Sequence, residues 1–221
     1  MGLLFSGERM KKPTAKILRA IRRIIDEQRN NLRKYRRGDS NVFLGRMFTL
    51  GNLFTYFIAE ELFKHSKYTV LVDFPVKIPS RRQCIYPDIM IIRKGVLKGI
   101  IEVKYYLGWE SKKGMKKMKN NYSSFFKATS FNYTIRDSKF EKKPKNTVKI
   151  PKMVKKILLV LQDSHNNSVM VKHSIKGTGF IFIILLNDRE VDPRRPLNDF
   201  KVVKRDLYRQ KNKIEQLFKT F

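Results

Sequence analysis

The chain has 221 residues, 42% of them hydrophobic and 12% aromatic, which suits one folded domain with a real core and excludes a largely disordered segment. Its 49 Lys and Arg against 19 Asp and Glu leave a net charge of +30, which repels itself unless a polyanion shares it. Nucleic acid is the first candidate partner, and an anionic membrane surface the second. A single cysteine, Cys84, excludes an internal disulfide and a Cys-based zinc or iron–sulfur site. His65, His165 and His173 have no metal-ligand spacing. No secretory signal is evident, and the longest apolar run, Phe180–Leu186, has strand length. Cytoplasm, or host cytoplasm for a chain encoded by a virus or mobile element, is the expected compartment, with no membrane partner.

In chain order, 13–37 reads as a basic amphipathic helix. Ile17, Leu18, Ile21, Ile24, Ile25 and Leu32 form its apolar stripe, and Thr14 is a candidate N-cap. Its basic end, Arg33 to Arg37, suits phosphate contact, with Arg36 and Arg37 the candidates. A second helix is expected over 42–64, carrying Phe43, Leu44, Met47, Phe48, Phe54, Phe57 and Ile58 beneath a sheet. The alternation of Tyr68, Val70, Val72, Phe74 and Val76 predicts a first strand over 67–77 with a partly exposed opposite face. Arg81 and Arg82 then sit in a basic loop suited to backbone phosphates.

Two apolar runs follow, 85–92 and 100–106, flanking a segment whose Gly95 and Gly99 supply turn geometry. This is a hairpin pattern. If the turn centres near Gly95, Asp88 lies opposite Glu102, with Cβ atoms roughly 5 Å apart. Glu102 and Lys104 share one face of their strand and Val103 points to the other. Both runs are apolar on both faces, as in central strands covered on two sides. Two carboxylates at the rim of such a core repel each other unless a cation lies between them. Mg²⁺ commonly takes one or two carboxylates together with phosphate and water, and Mn²⁺ is the expected substitute. The backbone carbonyl of Val103 is a further candidate ligand, and Lys104 is placed to stabilise charge on phosphorus oxygens.

Tyr86-Pro87-Asp88 with the apolar run behind it, then Glu102-Val103-Lys104 inside a second apolar strand, resembles the PD-(D/E)XK nuclease superfamily. That superfamily includes restriction endonucleases and archaeal Holliday junction resolvases. The resemblance covers about residues 43–110. It implies an α/β, restriction-endonuclease-like αβββαβ core, a mixed central sheet flanked by helices. It also implies Mg²⁺ dependence, metal ligation by Asp88 and Glu102, and a catalytic role for Lys104. Many such nucleases carry a further Glu on the helix before the sheet, but here that place falls on Thr55. Glu60 and Glu61 lie more than about 100° round the helix at 100° per residue, and read as a solvated pair near its end.

Beyond the motif, a helix over about 110–130 has the stripe Met115, Met118, Tyr122, Phe125 and Phe126, all read as core. Lys112, Lys113, Lys116 and Lys117 crowd its start as candidate nucleic-acid contacts. Trp109 reads as core beside the site. Residues 136–152, Lys-rich and interrupted by Pro, read as a mobile basic loop. Strands over 157–162 and 179–186 are expected to join the sheet beside the hairpin, and a terminal helix capped by Asn198 completes the chain. The organisation expected is a basic helical arm over 1–40, a nuclease core over 41–190 and a C-terminal helix over 191–221. The expected activity is a metal-dependent endodeoxyribonuclease acting on double-stranded or branched DNA, with a homodimer supplying two sites. The alternatives are a non-catalytic nucleic-acid-binding module, or a nuclease subunit completed by a partner.

Overall fold

The computed structural model describes residues 12–30, 42–44, 50–64, 66–78, 84–106, 112–134, 145–162, 171–172, 175–186 and 200–219. Its strands are β1 Val42–Leu44, β2 Thr69–Val72, β3 Ile89–Arg93, β4 Val96–Tyr106, β5 Ser130–Thr134, β6 Lys145–Lys149, β7 Lys155–Gln162 and β8 Phe180–Leu186. Its helices are α1 Lys12–Asn30, α2 Leu50–Phe63, α3 Lys112–Lys127, α4 Phe200–Arg209 and α5 Lys211–Phe218. Arg36, Arg37, Arg81, Arg82, Trp109 and the three histidines lie outside the described residues.

All eight strands belong to one mixed sheet. β3 runs antiparallel to both of its neighbours, β2 and β4; β1 joins β2, β7 joins β4 and β8 joins β7, each in parallel. β5 and β6 pair antiparallel, and β6 meets the start of β4 at Val96 and Lys149. Ile100 and Ile101 are both fully buried, so β4 is covered on both faces, as its doubly apolar sequence requires.

One face packs Val70, Val72, Ile89, Ile91, Ile101, Val103 and Leu159 against α1, α2, α4 and α5. In α1 the positions Ile17, Ile21 and Ile24 recur at helical spacing and are fully buried. α2 is buried at Phe54, Tyr56, Phe57, Ile58 and Ala59 in succession, which suits a helix covered on all sides between the sheet and α1. The other face packs Met90, Ile92, Ile100, Leu158 and Val160 against Met115, Met118, Tyr122 and Phe125 of α3.

Several sequence expectations are corrected. Val42–Leu44 is a strand and not the start of a helix, since its backbone is satisfied by parallel pairing with β2. Met47 and Phe48 lie outside the described residues. The first strand is shorter than expected because Asp73 has φ 48, a left-handed conformation that stops the ladder. Val70 and Val72 therefore face the helical layer, whereas Phe74 and Val76 pack on the α3 side. The opposite face of that strand is closed as well, with Leu71 fully buried. Residues 145–149, expected in a mobile loop, form β6. Thr14 is not an N-cap: it lies inside α1 and donates its hydroxyl to Glu215 Oε1 of α5 at 2.9 Å. The terminal helix is broken into two, α4 and α5.

Candidate active site

The hairpin of β3 and β4 sets the geometry. Lys94 and Gly95 have φ of 50 and 69, as the two central residues of a type I′ turn require. Such a turn pairs Arg93 with Val96 and Ile92 with Leu97. Continued without interruption, it would oppose Asp88 to Ile101. A bulge intervenes, and the pairing resumes as Ile91 with Gly99 and Ile89 with Ile101. The ladder ends there; extended one residue on the same register, it would set Asp88 opposite Glu102. The extra residue, Lys98, thus restores the register expected from a turn centred at Gly95.

Glu102 is buried, with both oxygens engaged. Oε1 accepts a hydrogen bond from Lys104 Nζ at 3.0 Å, and Oε2 accepts one from the Tyr122 hydroxyl at 2.5 Å. Val103 faces the opposite layer, as strand alternation demands. Asp88 precedes β3. Its Oδ2 accepts the Val103 N–H at 2.8 Å, and its carbonyl accepts the Asp73 N–H at 2.8 Å. Burial pushes the Asp88 carboxyl well above its ordinary range, and the Glu102 charge adds to the shift. Lys104 and the Val103 N–H pull the other way, and Asp73 contributes a smaller push upward. Burial also raises the Tyr122 phenol, as do the charges of Glu102 and Asp88, so it stays a hydrogen-bond donor.

Asp73, which the sequence pattern did not single out, is therefore part of this electrostatic setting. It is buried at the end of β2, and its Oδ2 accepts from Asn52 Nδ2 of α2 at 3.3 Å. Tyr122 is the other residue the pattern missed. Its hydroxyl was a usable signal, because a tyrosine in a Met and Phe stripe must find a buried partner.

A pocket of ≈ 180 Å³ opens beside the pair, lined by Tyr86, Pro87, Glu102, Lys117, Asn121 and Tyr122 among others. Lys117 thus stands at the site, and Lys116 is exposed beside it on α3. For Lys112 and Lys113 the described structure extends to their helical backbone. Thr55 is buried on α2, across the sheet from Glu102. Glu60 and Glu61 are not a solvated pair: Arg23 Nη1 of α1 lies 2.6 Å from Glu60 Oε2, and Arg19 Nε lies 2.8 Å from Glu61 Oε2. Glu60 is buried, and α1 consumes both charges.

The donor set around Glu102 is made of oxygens, as a hard cation requires. Buried Glu102 and half-buried Asp88 with one ammonium carry a net negative charge when both acids are ionised, and desolvation already opposes ionisation of Asp88. Each carboxylate has lone pairs beyond the hydrogen bonds described. Within a strand pair a residue's N–H and C=O point to the same edge, so the Val103 carbonyl is directed to the Asp88 side. This set fits a divalent cation that completes its shell with water and phosphate. Among the described residues no group of three His, Cys, Asp or Glu side chains is close enough to hold a metal alone. No family model, curated protein or solved structure matches the chain. The architecture is mixed α/β, and among the described residues no helix is long and apolar enough to cross a membrane.

Proposed function

We propose that the chain is a metal-dependent endodeoxyribonuclease that hydrolyses DNA phosphodiester bonds. The observation that carries this reading is the hydrogen bond that holds Asp88 Oδ2 on the Val103 N–H at 2.8 Å, next in the chain to Glu102, with Lys104 Nζ 3.0 Å from the Glu102 carboxylate. The order α2, β2, β3, β4, α3, followed after the β5–β6 pair by β7 alongside β4, agrees with the αβββαβ core of the PD-(D/E)XK superfamily with β5 and β6 inserted, which supports the same assignment.

In this reading Asp88, Glu102 and the Val103 carbonyl hold Mg²⁺, with Mn²⁺ as substitute. Bound there, the cation lowers the pKa of coordinated water and offsets charge on the phosphate oxygens. The Val103 N–H fixes Asp88, and the Tyr122 hydroxyl fixes Glu102. Lys104 holds its ammonium beside Glu102 with further N–H donors, which can bind a nonbridging phosphate oxygen as charge builds there. Lys116 and Lys117 bind flanking phosphates, and Lys112, Lys113, Arg81, Arg82, Arg36 and Arg37 extend that role. A homodimer would supply the second site for cutting both strands.

The test is purified protein on supercoiled plasmid with Mg²⁺, Mn²⁺ or EDTA. Nicking or linearisation that EDTA stops, and that Asp88→Ala and Lys104→Ala both lose, is expected. Equal cleavage by wild type and both variants would remove the enzyme reading. The second reading is a non-catalytic nucleic-acid-binding module, favoured by one observation: both Glu102 oxygens are already engaged by protein donors. A gel shift without nicking under any metal would select it.

A further inference from the structure

The two faces of the sheet differ in charge. On the helical face, basic residues meet acids: Arg19 and Arg23 pair with Glu61 and Glu60, and α5 carries Glu215. On the α3 side the described residues between Val103 and Leu186 include no Asp or Glu at all. α3 has no acid along its 16 residues, and Lys116, Asn120, Ser123 and Lys127 form one exposed stripe at helical spacing. At 1.5 Å per residue that stripe spans roughly 16 Å, about five phosphates of a strand spaced at 3.4 Å.

The stripe does not stop at the end of α3. The Thr129 carbonyl accepts the Ile150 N–H at 2.8 Å, and the Gly95 carbonyl accepts the Lys149 N–H at 2.9 Å. These bonds join the end of α3 to β6 and to the type I′ turn, where Lys94, Lys98, Lys149 and Lys152 are all exposed. None of these four side chains makes an ion pair among the described residues. The turn lies at the far end of β3 from Asp88, roughly 20 Å away at 3.3 Å per residue.

We infer that this face, which carries no Asp or Glu among the described residues from 103 to 186, and the turn end of the sheet beside it form a nucleic-acid docking surface, a phosphate track that leads from the Glu102 pocket along α3 to the exposed Lys94, Lys98 and Lys149. Charge complementarity is the argument for the occupant: Lys116 and Lys127 at the two ends of the stripe, with the Asn120 amide and Ser123 hydroxyl between them and four exposed lysines beyond, suit a polyanionic backbone and give no base discrimination. The inference rests on nucleic acid being the partner, and it does not require that the site cleave. It also moves the main contact away from α1, whose Arg19 and Arg23 are already paired within the chain.

The experiment measures binding of the full chain to a labelled DNA duplex by fluorescence anisotropy across a KCl series, in EDTA, so that no cleavage enters. The triple variant Lys94→Ala/Lys98→Ala/Lys149→Ala is compared with Lys204→Ala/Arg205→Ala/Lys213→Ala, three exposed residues on α4 and α5 with the same charge change. The first set should weaken binding about tenfold or more and flatten the slope of log K against log salt by about 2–3, near 0.9 per phosphate contact. The second set should leave the slope within error of wild type. Equal losses from the two sets, or no loss from the first, would overturn the inference. So would binding to phosphatidylserine vesicles with none to the duplex. The nuclease reading fails separately, on the plasmid assay, whichever way the slopes fall.

Discussion

The phenol of Tyr122 on α3 and the carboxylate of Glu102 on β4 meet at 2.5 Å, inside the layer that α3 closes over the sheet. The pairing explains how an acid buried in an apolar layer is tolerated: Tyr122 and Lys104 each satisfy one oxygen. It also ties α3 to the strand that carries the motif, so helix position and acid position are set together. Tyr122→Phe keeps the ring contacts with Phe126 and Phe180 but leaves Oε2 without its donor. The loss should be about 1–3 kcal/mol of stability, the cost of a buried acceptor left short of a partner. Urea unfolding of the two proteins checks it, and unchanged midpoints would show that the bond contributes nothing.

Asp88 makes the metal-free chain sensitive to pH. Its folded-state pKa is raised above the unfolded value, chiefly by burial and then by Glu102. The folded state therefore holds its proton more tightly, and the stability from this group is complete below the unfolded pKa, near 3.9. That stability is lost as pH rises through the folded pKa. Asp88→Asn keeps an oxygen for the Val103 N–H and removes the buried charge. In EDTA the variant should melt higher than wild type at pH 8, with the gap closing toward pH 4. Parallel melting curves at every pH would contradict the linkage.

Divalent metal should reverse that penalty. A ligand that binds only the folded state adds about 2.7 kcal/mol at 100 times its Kd. Mg²⁺ or Mn²⁺ should thus raise the melting temperature of wild type and leave Asp88→Asn and Glu102→Gln almost unmoved. Calorimetric titration gives a second readout without DNA. A metal response retained in both variants would place the cation elsewhere.

Arg23 tests Glu60, the buried acid of the helical face. It lies 2.6 Å from Glu60 and 4.0 Å over the Phe57 ring, linking α1 to α2. Arg23 keeps some exposure, so its removal should cost less than the 3–5 kcal/mol of a fully buried pair, about 2–3 kcal/mol. Arg23→Ala combined with Glu60→Gln should recover part of that loss in chemical denaturation. A double variant no more stable than Arg23→Ala would assign the cost to lost packing alone.

The parts of the site legible in the sequence are those that alternation controls. Glu102 and Lys104 on one face and Val103 on the other follow from the pleat, and the doubly apolar runs marked β3 and β4 as interior strands. Asp73 escaped notice because it reads as an outward polar residue in an alternating run, and only its left-handed φ reveals the end of β2. Val42–Leu44 escaped for a different reason: three apolar residues fit a helix or a strand equally well, and the partner strand decides. β6 is polar along most of its length and meets central β4 only at Val96, so no hydrophobic period announces it. Its pairing with β5 rests on backbone bonds, the buried Phe131–Val148 pair and the Thr147 hydroxyl donated to Asn132 Oδ1 at 2.8 Å.

The hairpin turn tests the register itself. A Cβ on Gly95 would meet nothing nearer than the Thr147 carbonyl at 4.0 Å, so Gly95→Ala has room for its methyl. Its cost is then the left-handed backbone alone, about 1–2 kcal/mol. Lys94 occupies the same region without the freedom of glycine, and Asn tolerates that conformation better. Lys94→Asn should therefore stabilise by a few tenths to about 1 kcal/mol, giving the Asn-Gly pair that type I′ turns favour. Because the turn backbone together with the bulge at Lys98, and not the Lys94 side chain, sets the register near Asp88 and Glu102, Lys94→Asn should keep the wild-type affinity for Mg²⁺ while it raises the melting temperature. A stabilised variant with weakened metal affinity would mean that the turn residues act on the site by some route other than register.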